Sequence, residues 1–152
     1  MARDVMWFLD TLVRVHVAHT EGTDGLSVLE HRAPKGDSPP LHIHETEDEI
    51  FQILEGEFSF LIAGEHKQCG PGTAVLAPKG VAHTYRVDSA DGGRWLTITA
   101  RGDFEWFVRA LGRPAAREEL PPRSPPPSPE VIEELGTVAG RHGIKLVGPP
   151  LH

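Results

Sequence analysis

The chain has 152 residues, one cysteine, and 22 acidic against 15 basic side chains, a formal net charge of −7. That length makes one ordinary domain with its own apolar core and no need of a disulfide framework. The acidic balance, with no basic cluster and no helix-turn-helix pattern, argues against a nucleic-acid partner or a DNA-binding regulator, because phosphate neutralisation requires a basic surface.

A lone thiol, Cys69, has no internal partner and points to a reducing compartment. The apolar run from Val5 to Leu9 is bracketed by Asp4 and Asp10, too short for a secretory leader or a membrane span. We therefore expect a soluble cytoplasmic protein with no membrane partner.

In chain order, Thr11–Val17 alternates, with Val13, Val15 and Val17 on one side and Arg14 and His16 on the other, as in a half-buried strand. Gly22 and Gly25 mark a turn, and Leu26–Ala33 reads as a second strand. A loop rich in Gly and Pro follows over 34–40. Short β segments are then expected at Leu41–His44, Glu49–Glu55, Glu57–Ala63, Thr73–Ala77, His83–Asp88 and Trp95–Arg101, separated by Gly and Pro turns. Many short strands with regular breaks indicate a sandwich or barrel.

Asp103 is placed to cap a helix over Phe104–Leu111, whose apolar positions 104, 107, 108 and 111 share a face. Because this helix follows the last barrel strand directly, it is expected beside the barrel's open end, with Phe104 or Phe107 near the pocket mouth. Gly112 and Pro114 end it. Seven of the sixteen residues from Pro114 to Pro129 are proline, which makes an extended linker. Ser128 then caps a second helix with Pro129 in its first turn and a stripe of Val131, Ile132, Leu135, Val138 and Ala139. Gly143 closes it, and Ile144–Val147 is a candidate final strand. The organisation expected is a β-barrel with its following helix over 1–112, and over 113–152 a Pro-rich linker and C-terminal helix packed on the same domain.

The chemistry concentrates in His42-Ile43-His44. Residues two apart on a strand share a face, so both imidazoles point one way. Glu49 opens the next strand, and its alternate neighbours Phe51 and Ile53 are apolar, the face expected inside a barrel. A carboxylate there is costly unless a positive partner meets it. His83 opens a later strand with Tyr85 and Val87 on its face. Four nitrogen and oxygen donors from three strands make a candidate metal site. Cys69 reads as a packed or edge residue, not a ligand. Taken alone, an H-x-H pair is equally well read as surface or core histidines.

The wider spacing decides between those readings. Gly36, five residues, His42, one, His44, four, Glu49, six, Gly56 is followed after fifteen residues by Gly72, five, Pro78, one, Gly80, two, His83. With Gly and Pro at only about 5–7% each in average proteins, nine such fixed positions do not coincide by chance. This pattern resembles both motifs of the cupin superfamily. The resemblance implies an all-β fold, a double-stranded β-helix (jelly-roll) barrel with short C-terminal helices, and His42, His44, Glu49 and His83 as ligands of one divalent metal. One position departs: Val87 stands where members often have Asn, which bears on a local turn or hydrogen bond and not on the ligands.

Trp7-Phe8-Leu9, Glu30-His31-Arg32, Pro39-Pro40-Leu41-His42, Phe104-Glu105-Trp106-Phe107 and the 144–150 ending are similar to the bacterial single-barrel (monocupin) proteins described as quercetin dioxygenase-like. The first reading of such a centre is an oxygenase acting on a small aromatic or enolic substrate, quercetinase-like as the resemblance suggests, in which Glu49 takes a substrate hydroxyl proton as general base. Phe51, Ile53, Tyr85, Phe58 and Phe60 would line its pocket, or simply pack the core. The donor set suits Fe, Mn, Ni, Co, Cu or Zn. A non-redox isomerase, lyase or hydrolase, or a small-molecule-binding barrel without catalysis, stays open. Ile50 and Leu54 lie opposite the Glu49 face and need cover, from the N-terminal strand, the C-terminal helix or a second subunit; a homodimer is expected.

Overall fold

The computed structural model describes residues 4–152. Twelve strands are β1 (Val5–Phe8), β2 (Thr11–Val17), β3 (Ser27–Ala33), β4 (His42–His44), β5 (Glu49–Glu55), β6 (Phe58–Ile62), β7 (Glu65–Cys69), β8 (Ala74–Ala77), β9 (His83–Val87), β10 (Gly93–Thr99), β11 (Arg113–Pro114) and β12 (Ile144–Leu146). Two helices accompany them, α1 (Asp103–Leu111) and α2 (Pro129–Gly140). One sheet runs β11-β1-β2-β3-β10-β5-β8, the other β12-β4-β9-β6-β7. All pairings are antiparallel, and the architecture is the expected double-stranded β-helix.

Alternation along the strands builds the interior. Glu49, Phe51 and Ile53 of β5 are buried while Ile50 is exposed, and Trp95, Thr97 and Thr99 of β10 face inward beside them. One core joins Phe51, Ile53, Phe58, Phe60, Cys69, Tyr85, Val87 and Trp95. A second, beneath the helices, joins Met6, Phe8, Val13, Leu29, Phe107, Val108, Ala139 and Ile144. Gly56 turns β5 into β6 at φ +91°, and a Cβ there would sit 2.6 Å from the Gly92 carbonyl oxygen, so this hairpin takes only glycine without strain.

The structure corrects several local expectations. The alternation of β2 does not run through to Val17: its register against β3 shifts between Val15 and Val17, and Val17 is exposed. β7 carried no sequence signal, because Glu65, His66, Lys67 and Gln68 are all exposed and only Cys69 turns inward. Gly102, in the left-handed region, occupies the N-cap of α1, while Asp103 begins the helix and accepts a hydrogen bond from the Thr46 hydroxyl. Ser128 does cap α2, accepting from the Val131 N–H, but Val131 and Ile132 of the expected apolar stripe are exposed and only Leu135, Val138 and Ala139 reach the core. Within the Pro-rich stretch, β11 pairs with β1.

Val87, where the resemblance suggested Asn, packs wholly inside the first core. Its N–H donates to the Asp37 carbonyl and its carbonyl accepts from the Gly36 N–H, so the loop before β4 is pinned by backbone bonds without a side-chain amide. Among the described residues no helix is long and apolar enough to cross a membrane.

Candidate metal centre

His42, His44, Glu49 and His83 come together with one donor atom each, all within 4.8 Å of one another. The two histidines of β4 share a face as the strand period requires, His83 enters from the neighbouring β9 opposite His42, and Glu49 reaches across from the other sheet. Three of the four side chains are buried; His42 is half-buried at the rim.

Outer contacts orient the rings. His42 donates Nδ1–H to the Pro40 carbonyl at 2.7 Å, and His83 donates Nδ1–H to the Val81 carbonyl at 3.2 Å. A carbonyl accepts only a donated proton, so in both rings Nε2 is the atom left for the centre. His83 Nε2 lies 3.3 Å from Glu49 Oε1, and His44 Nε2 lies 3.4 Å from Glu49 Oε2.

The electrostatics suit a cation. Burial alone would push the Glu49 carboxyl up, but His44, His83 and His42 outweigh it and hold the group at about 2, fully ionised at neutral pH. Burial, reinforced by its two imidazole neighbours, pushes His42 down to about 3. Burial also lowers His44 despite Glu49 beside it. For His83 the desolvation is overcome by its hydrogen bond and charge contact with Glu49, and its value is raised. Neutral imidazoles and an ionised carboxylate are the ligand forms a metal takes up; His42, His44 and Glu49 are held in those forms, and His83 would release the proton that Glu49 favours as the ion binds. His44, only 2% exposed, has no hydrogen-bond partner at either ring nitrogen. A buried imidazole left unpaired is costly, and coordination at one nitrogen relieves that cost. The residues present therefore fit one divalent ion.

An aromatic circuit runs through two members of the cluster, His44 and His83. From His44 the ring-to-ring contacts run to Phe104 at 5.7 Å, on to His31 at 5.9 Å, and then to Trp95 at 5.0 Å. They continue to Tyr85 at 5.0 Å, Phe51 at 5.9 Å and His83 at 6.1 Å, and close back on His44 at 5.2 Å. Of the residues expected to line a pocket, Phe51 and Tyr85 stand in this circuit. Ile53 lies beside it as the register partner of Trp95. Phe58 and Phe60 sit one layer deeper, at 5.3 Å from Trp95 and 5.2 Å from Phe51.

Two members, His31 and Trp95, escaped sequence reasoning as site residues. They are register partners whose strands alternate buried and less buried positions, a signal that would have placed both inside. Phe104 is brought in by α1, as position after the last strand suggested, whereas Phe107 packs on Phe8 in the second core. Glu47 fixes that helix: its buried carboxylate accepts from the N–H groups of Arg101 and Phe104. Cys69 is a buried free thiol opposite Phe58 and is not one of the converging donors.

Comparison with known proteins agrees with this geometry. The cupin domain family model matches residues 28–99, which span all four candidate ligands. The quercetin 2,3-dioxygenase of Bacillus subtilis is 37% identical over 106 residues, covering 69% of this chain and 31% of that protein. The endoribonuclease YbeY of Myxococcus xanthus is 30% identical over 126 residues, covering 83% of this chain and 38% of that protein. The chain thus spans only about a third of the length of these two curated relatives. Among solved structures, one from Thermotoga maritima described as a predicted oxalate decarboxylase superposes with a TM-score of 0.59 at 19% identity, covering 66% of this chain and 93% of that chain, a likeness of fold. Motif spacing, barrel topology, the convergent donors and the matched family model agree: the chain belongs to the cupin superfamily.

Proposed function

We propose that this cupin is a metal-dependent oxygenase acting on a small aromatic or enolic molecule, with His42, His44, Glu49 and His83 as ligands of one divalent ion. The observation that carries the reading is the row of rings that joins His44 to His83 through Phe104, His31, Trp95, Tyr85 and Phe51, an aromatic face beside the donors suited to a flat, weakly polar molecule held against a cation. The likeness to quercetin 2,3-dioxygenase supports the same chemistry. A bound ion would supply Lewis acidity and a route for electrons to dioxygen.

The chain's own part is binding and proton transfer. Phe51, Tyr85, Trp95 and Phe104 stack on the molecule and exclude water. Glu49 is the base of this reading, taking the proton of a substrate hydroxyl at a carboxylate oxygen to leave an electron-rich enolate or phenolate; because the imidazoles beside it keep that oxygen weakly basic, only an acidic enol or phenol gives up its proton there. The reading takes the protein as cytoplasmic, supported by a single buried, unpaired thiol, and the net charge of −7 gives no basis for a nucleic-acid partner.

The test is oxygen uptake per bound metal with a flavonol, for wild type and Glu49→Gln. Gln keeps an oxygen donor but accepts no proton at neutral pH. Turnover per bound ion is expected to fall about a hundredfold or more, the usual worth of a general base, while metal retention falls less. Activity that falls only in proportion to metal content would make Glu49 a ligand alone. If metal-loaded wild type consumes no oxygen with any enolic or phenolic compound, the oxygenase reading is abandoned. Turnover without oxygen would then indicate a non-redox isomerase, lyase or hydrolase, and ligand binding without turnover a small-molecule-binding cupin.

A further inference from the structure

His31 carries a polar atom that nothing in the fold employs. It lies on the inward face of β3 between Leu29 and Ala33, is 3% exposed, and stacks on Trp95 at 5.0 Å with ring planes 9° apart. Its Nε2 is buried without a hydrogen-bond partner. Folded proteins pair nearly all such atoms, because an unsatisfied one costs free energy.

The other buried atoms in this condition, among the described residues, have nearby accounts. The His44 nitrogens belong to the metal cluster, and His19 Nδ1 lies 3.2 Å from a Glu105 carboxylate oxygen. Arg94, whose Nε is unpaired, makes ion pairs to Glu30 and Glu55 through its terminal nitrogens. Only His31 Nε2 lacks one, and His31 stands in the aromatic circuit that runs through His44 and His83. Burial holds its imidazole down at about 4, against the opposing pull of Glu49 and Glu30, so the ring is neutral at physiological pH and its nitrogen donates or accepts according to tautomer.

We propose that His31 is the ligand-recognition residue of this site, its Nε2 hydrogen-bonding a second oxygen of a planar aromatic molecule whose first oxygen meets the metal. The substrate class follows: flat aromatic compounds with at least two oxygen functions, as opposed to simple phenols. This assignment rests on the oxygenase reading for its choice of probe. It differs from that reading in naming a group on the β3 wall that touches neither metal nor Glu49 in the resting fold.

The test uses the metal-loaded full chain titrated without oxygen by quercetin and by phenol, followed by absorbance, with thermal unfolding measured in the absence of ligand. His31→Phe and His31→Met both remove the nitrogen while keeping apolar bulk, so whichever folds suffices; His31→Gln retains hydrogen-bonding capacity. Metal content is expected to stay at the wild-type level and the ligand-free melting temperature to hold or rise, since an unsatisfied atom has been removed. Quercetin affinity is expected to fall about five- to tenfold, the worth of one neutral hydrogen bond, with partial recovery in the Gln variant and little change for phenol. Unchanged quercetin affinity, or a lowered melting temperature with affinity intact, overturns the role of His31 and leaves the oxygenase reading standing. Failure of wild type to bind quercetin at all would overturn the role of His31, whereas the oxygenase reading falls only if no enolic or phenolic compound drives oxygen uptake.

Discussion

His44 stands directly opposite Ile144 in an antiparallel pairing, so the strand that carries two candidate metal ligands is secured by the last strand of the chain. β4 is three residues long and meets β9 in a single register pair, His42 with His83, whereas β12 matches it at all three positions. The tail adds further backbone bonds: the Leu41 N–H donates to Pro149, those of Val147 and Gly148 donate to Leu41, and that of Glu45 donates to Gly143.

Deleting residues 143–152 should therefore release β4 and lower metal affinity by at least tenfold. Competition with a chromogenic chelator would measure it. Undiminished affinity would show that β9 alone holds His42 and His44 in place.

His44→Ala should abolish metal-dependent stabilisation while leaving the barrel folded. The ring makes no hydrogen bond, so its loss creates a cavity and removes one of the imidazoles beside Glu49, which keeps its contact with His83. Wild type is expected to gain melting temperature with added divalent ion, by linkage, and the variant to gain none. An equal gain in both would remove His44 from the ligand set.

Asp37 provides a pH signature independent of the metal. Burial pushes its carboxyl up from 3.8 to about 6, although the Tyr85 hydroxyl donates to it at 3.2 Å. Between those values the unfolded chain gives up the proton first, so the native state binds more protons and stability falls as pH rises through the window, then levels. Asp37→Asn removes this loss. In metal-free protein it should match wild type near pH 4 and exceed it by about 1–2 kcal/mol at pH 8, a value discounted for partial solvent access. Urea unfolding at the two pH values measures the difference; an equal offset at both would mean that ionisation is not its source.

The outer face of the seven-stranded sheet carries one apolar row across five of its strands, β2, β3, β10, β5 and β8. Val17, Val28, Ile98, Ile50 and Leu76 form one row by register, with Ile50 and Leu76 37% and 51% exposed. Within the described chain neither β1 nor α2 covers it: α2 packs against β12 and α1. We propose that a second copy does. Arg14 opposite Glu30, and Arg94 paired with Glu30 and Glu55, set both signs of charge beside the row, as a twofold contact of identical faces requires. Sedimentation should give a dimer for wild type and a monomer for Leu76→Glu. A wild type that stays monomeric at all concentrations would refute the pairing.

Most of the barrel, and the identity of the four convergent side chains, were legible because both depend on short-range rules. A period of two places His42 with His44 and Glu49 with Phe51 whatever the rest of the chain does, and Gly and Pro mark turns by backbone chemistry alone. β7 was invisible because an edge strand that buries only Cys69 leaves no alternation to read. The cap at Gly102 was missed because Asp103 found another partner in Thr46. Tertiary structure alone decided the rest. Contacts such as Ile144 with His44, Phe104 with His31 and Glu47 with the N-terminus of α1 join residues roughly 55 to 100 positions apart, and their free energy comes from complementary packing that appears only when the sheets close. The sequence by itself determined which donors face inward. Only closure of the barrel decided which aromatic rings lie beside them, and left the Nε2 of His31 without a partner.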